Sequence, residues 1–111
     1  MPDREILNKD GLKLELVEIG ELAMLSIAWD DNPDHRIVGI ADEDAMFSVL
    51  NGVRYEISAD RWICAIELDQ GSVRFNVRAD EFEILDCAFT KREYENAIIH
   101  AFTHIRQTHA A

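Results

Sequence analysis

WICAIELDQGSVRFNVR, residues 62–78, decides the fold. Two alternating runs, Trp62–Leu68 and Val73–Arg78, flank Asp69-Gln70-Gly71-Ser72, whose composition is that of a tight turn. In the second run Val73, Phe75 and Val77 share one side, and Arg74, Asn76 and Arg78 share the other. One face is therefore buried and one is wet, which predicts an antiparallel hairpin.

The same period of two extends toward the N-terminus. Glu5–Lys9 and Leu12–Ile19 flank Asp10-Gly11, a second tight turn. Gly20-Glu21 then leads into Leu22–Trp29, where Ala23, Leu25, Ile27 and Trp29 share a face. The opposite face (Leu22, Met24, Ser26, Ala28) is also nearly apolar, the pattern of a strand covered on both sides. Asp30-Asp31-Asn32-Pro33-Asp34 is a loop, Arg36–Ala41 a short strand, and Asp42-Glu43-Asp44 ends it. Gly39 inside that strand marks a bulge or a close backbone approach. Asn51-Gly52 between Met46–Leu50 and Val53–Ile57 predicts a type I′ hairpin.

Toward the C-terminus, Phe82–Phe89 is a last strand whose phase changes near Ile84, as a bulge would cause. Thr90 followed by Glu93 is a capping box, and Tyr94, Ala97, Ile98, Ala101, Phe102 and Ile105 recur at three and four. That spacing predicts an amphipathic helix over about 91–107, with residues 108–111 as a frayed tail. The expected fold is α+β, one domain spanning 1–111. Seven to eight short strands form an antiparallel meander, an open curved sheet or partial barrel, packed against the C-terminal helix.

Composition narrows the function classes. With 111 residues and 48% hydrophobic content, the chain can build one core without disulfides or metal. Its 22 acids against 11 bases give a formal charge of −11, which disfavours nucleic acid and anionic membranes as partners. No apolar run is long enough to span a bilayer as a helix. Pro2, Asp3, Arg4 and Glu5 lack the order of a signal peptide, so the expected location is cytoplasmic. Cys64 and Cys87 lie among apolar neighbours and read as buried thiols.

Candidate chemistry is sparse. His100 and His104 stand four apart on the helix, a spacing that suits two metal ligands, but no further Cys or His is placed to complete a site. They read as solvent-facing, and His35 as a surface histidine in an acidic loop. Asp30, Asp31 and Asp34 lack the ligand spacing, central Gly and terminal Glu of a calcium loop. No catalytic residue, metal or cofactor is expected.

The order of segments resembles the immunity-protein-ten family of bacterial polymorphic toxin systems. The resemblance covers about residues 36–106. It runs from Ile37-Val38-Gly39-Ile40-Ala41-Asp42 through a hairpin with Tyr55-Glu56-Ile57. It continues through Ile66-Glu67-Leu68 and Val73-Arg74-Phe75 to the closing strand and helix. It implies a cytoplasmic protein that neutralises a toxin domain by binding it, with no chemistry of its own.

The expected working surface is the acidic pair of loops, Asp30, Asp31 and Asp34 with Asp42, Glu43 and Asp44, and Trp29 as an apolar anchor. The expected partner is a basic protein. A homodimer through an unpaired edge strand is compatible with this reading. The alternative is a small enzyme or ligand-binding domain using a cavity between sheet and helix.

Overall fold

In the computed structural model, residues 4–20, 22–30 and 32–109 are described, with side chains from 6 to 105 in those ranges. Among the described residues, eight strands form two four-stranded antiparallel meanders. β1 (Arg4–Lys9), β2 (Leu12–Ile19), β3 (Leu22–Ala28) and β4 (Arg36–Ile40) make the first sheet, in that spatial order. β5 (Tyr55–Ala59), β6 (Trp62–Asp69), β7 (Ser72–Ala79) and β8 (Phe82–Thr90) make the second, also in sequence order. Between them lies a short helix, α1 (Glu43–Ser48), continued by a 3₁₀ turn over Val49–Asn51. The chain closes with α2 (Lys91–His109). No helix among the described residues is long and apolar enough to cross a membrane.

The expected hairpin through Asn51-Gly52 is absent, because local capping favours helix there. Asp42 accepts a hydrogen bond from the Ala45 backbone N–H, and Glu43 and Asp44 in the first turn complement the helix dipole. Met46 and Val49, three apart, are both fully buried, so the segment follows the helical period. Gly52, at φ 92°, ends the 3₁₀ turn in the left-handed region. Asn-Gly marks chain reversals of either kind, since both require positive φ. Tyr55–Ile57 consequently pairs with β6, Tyr55 opposite Ile66 and Ile57 opposite Cys64, and not with residues 46–50.

The expectations for β8 and for the start of α2 hold, whereas α2 runs on to His109, into the stretch 108–111 expected to fray. Val77 faces Leu85 and Arg78 faces Glu83, so Ile84 is the extra residue of a bulge in β8. Thr90 Oγ1 accepts from the Glu93 N–H while Glu93 Oε1 accepts from the Thr90 N–H, completing the capping box of α2. Tyr94, Ile98, Ala101 and Phe102 bury the helix stripe.

Both sheets contribute to one continuous core. Leu14, Leu25 and Ile27 from the first meet Ile66, Phe75 and Val77 from the second, with Met46, Tyr94 and Phe102 from the helices. The sheets also meet at their edges. Lys9 Nζ donates to the Ala88 carbonyl at 3.0 Å on the β1–β8 side, and β4 runs beside β5. Gly39 permits that second approach, because a Cβ there would sit 2.6 Å from Ile57 Cδ1. Gly39→Ala is expected to destabilise the fold by about 1–3 kcal/mol through overpacking. An unchanged urea midpoint would show that Ile57 moves aside freely.

The reading of β3 as covered on both sides holds in part. Its inner face is core, and on its outer face Ser26 is buried and Met24 and Ala28 are half-buried, whereas Leu22 at the strand end stays 56% exposed. By contrast, the outer face of the second sheet is crossed by polar pairs: Arg54 with Glu56 and Glu67, Arg74 with Asp69 and Asp86, Asn76 with Glu83.

Candidate functional site

Strand register decides which polar groups come together. Arg36 pairs with Ala28 and Ile40 with Met24, so the two acidic clusters lie at opposite ends of β4. Asp42, Glu43 and Asp44 fall at the α1 end, where the Asp42 carboxylate already caps the helix. Asp30 and Asp34 fall at the other end, with Trp29. Asp31 lies outside the described residues.

The Asp30 end is the richer one. Trp29, buried at the end of the β3 inner face, stacks on His35 with ring centroids 6.0 Å apart and planes 10° from parallel. Trp62 at the start of β6 meets both edge-on, at 5.2 Å from Trp29 and 5.7 Å from His35. The Arg61 guanidinium lies 6.0 Å from the Trp62 ring centre. Three aromatic rings from two sheets thus form one cluster at the mouth of the core.

The loop is held in place by its own side chains. His35 Nδ1 lies 2.8 Å from Asp30 Oδ2, and the Asn32 N–H donates to Asp30 Oδ1. Asn32 Oδ1 in turn accepts from the Asp34 N–H. The hydrogen bond to His35 is the main reason that the Asp30 carboxyl is held below its usual range, with the Asn32 amide adding to it. His35 therefore orders the acidic loop and stacks on a tryptophan, a role that its loop setting in sequence does not disclose.

Two further turns share this end. Asp60-Arg61 immediately precedes Trp62, and the Asp80 N–H donates to the Arg61 carbonyl at 3.3 Å. Register places the turns carrying Asp60 and Asp80-Glu81 at the same end of the second sheet as Trp62, the end where Asp30 holds His35. Phe82, opposite Ala79 and 75% exposed, adds an open ring. Asp60 and Asp80 sit at φ 56° and 55°, conformations that Asn also tolerates. Sequence reasoning missed this half of the rim because nothing local links residue 29 to residues 62 and 80.

The other candidates contribute less. His100 is exposed on α2, and no group of three His, Cys, Asp or Glu among the described residues could hold a metal ion. Cys64 and Cys87 are buried free thiols. Burial pushes the Cys64 thiol up to about 12. Its neutral form thus supports the fold fully below the ordinary thiol range, and that support is lost as pH rises toward the native value. Native protein at pH 8 is expected to react with a thiol reagent only at its opening rate, over a hundredfold slower than in urea. Immediate labelling of Cys64 would contradict the burial. A depression of about 400 Å³ lined by Asn8, Gly11, Lys13, Ala28 and Asp30 opens on the outside of the first sheet.

In comparisons with known proteins, no family model, no curated protein and no solved structure matches the chain. They carry nothing on the immunity-protein-ten resemblance.

Proposed function

We propose that the chain is a small, non-catalytic protein-binding module of immunity type, which neutralises a basic partner domain by covering it. The observation that supports this reading is the Trp29–His35–Trp62 cluster, with the Asp30 carboxylate on His35 and acidic turns at the same end of the fold. Aromatic rings supply large rigid contact area, and the acids around them attract positive charge over about a Debye length, roughly 8 Å at physiological salt. The binding surface is then Trp29, Asp30, Asp34, His35 and Trp62, with Asp60, Asp80 and Glu81 on the rim. Asp42, Glu43 and Asp44 belong to the opposite end and are left out of it.

The test is direct capture from the native host at low salt, with the neighbouring gene product as first candidate. The expected partner is basic, elutes as salt rises, and migrates with the chain as a stoichiometric complex on gel filtration. An acidic partner that is retained at 1 M salt would contradict the reading.

A further inference from the structure

The described side chains on the outer face of the first sheet are mostly apolar. Register places Val17, Met24 and Ile40 in one cross-strand row, with Ile19 and Leu22 in the next and Val38 beside them. Ile19, Leu22 and Ile40 are 57%, 56% and 62% exposed. Among the described side chains this face carries only Lys13, Arg36 and a Glu15 that Lys13 pairs at 3.9 Å. In a chain of charge −11, a face with few acids reduces the repulsion between two copies.

Its charge also has a direction. Lys13 and Arg36 lie together at one end, flanking Ala28, beside the depression of about 400 Å³ that Lys13 lines with Asn8 and Asp30. Beyond Ile40, at the other end, come Asp42 and Asp44, both exposed. The separation is roughly 15–20 Å at strand rise. A two-fold axis in the plane of the face, at right angles to β3, reverses the strands of one copy relative to the other. Each basic end then meets the partner copy's acidic end, with the apolar rows packed between. An axis along the strands would set like charges against each other.

We propose that this face seats a second copy of the chain, the two sheets packing face to face about that antiparallel two-fold axis, with Arg36 of each opposite Asp44 of the other. The dimer buries the sheet face and the partner uses the neighbouring Trp29–Trp62 end, and self-association is read without any partner, so either reading can fail alone. It also gives the Leu22, Met24, Ala28 side of β3 the cover that its apolar pattern calls for.

Sedimentation velocity on the isolated chain tests it, from about 5 to 200 μM, a range that brackets the affinity of a small interface. The expected species at the top of the range is twice the 12.7 kDa monomer. Ile40→Glu and Leu22→Glu, both exposed and so harmless to the core, are each expected to weaken association at least tenfold. Arg36→Glu is expected to weaken it, and adding Asp44→Arg to restore it. A wild-type monomer throughout overturns the proposal. So does a dimer that is indifferent to Ile40→Glu and Leu22→Glu, or a double charge swap no better than Arg36→Glu alone.

Discussion

Replacing Tyr94 with alanine is expected to cost about 4 kcal/mol or more, the largest loss from any single truncation considered. Its ring is fully buried, packs on Phe75 with centroids 6.0 Å apart, and lies where α2 meets the second sheet. Its hydroxyl donates to the Met46 carbonyl at 2.7 Å, tying α2 to α1 across 48 residues of sequence. Truncation removes the packing and also the hydroxyl that donates to the Met46 carbonyl. Burial already pushes the Tyr94 hydroxyl far above its ordinary range, which reflects the same dry setting. Against a total stability of about 5–15 kcal/mol for a domain, the loss is a large fraction. Urea unfolding measures it, and Tyr94→Phe isolates the hydrogen bond at about 1–2 kcal/mol. A loss under about 1 kcal/mol for Tyr94→Ala would mean that α2 is not docked as described.

Trp62→Ala is expected to weaken partner binding by about 30- to 1000-fold, mostly through faster dissociation. Trp62 is half-buried, meets both Trp29 and His35 edge-on, and carries the Arg61 guanidinium near its ring. It differs from Trp29, which is 7% exposed and whose loss would damage the core. Trp62→Phe retains a ring and is expected to lose far less. Surface plasmon resonance with the captured partner reads both rate constants, and circular dichroism checks that the fold survives. An unchanged dissociation rate for Trp62→Ala would remove the aromatic cluster from the interface.

Features set by neighbours in sequence were legible there. The hairpins of β2 with β3 and β6 with β7, the bulge at Ile84 and the Thr90–Glu93 capping box all follow from short-range chemistry. Gly39 belongs with them, since a glycine inside a strand announces a close neighbour without naming it as Ile57. The segment 43–51 was misread because its turn signal fits two structures, and the Asp42 cap decides for the helix. Long-range placement was not legible. No local pattern divides the meander into two sheets, brings Trp29 and His35 to Trp62, or sets Asp80 beside Arg61. Of the acidic residues read as one working surface, Asp30 and Asp34 lie beside Trp29, and Asp42, Glu43 and Asp44 lie across the sheet.

The central claim is that the partner docks at the Trp29–Trp62 end, and two matched charge variants decide it. The first is Asp34→Asn, Asp60→Asn, Asp80→Asn, in which Asn tolerates the positive φ at 60 and 80. The second is Asp42→Asn, Glu43→Gln, Asp44→Asn, which keeps an N-cap at residue 42. Each removes three negative charges, so any effect of net charge alone is the same in both. Stopped-flow association with the captured partner at low salt is the measurement. The expected result is an on-rate about tenfold lower for the first variant, with a shallower salt dependence, and a much smaller change for the second. Equal slowing in both variants, or slowing confined to the second, would contradict docking at the Trp29–Trp62 end.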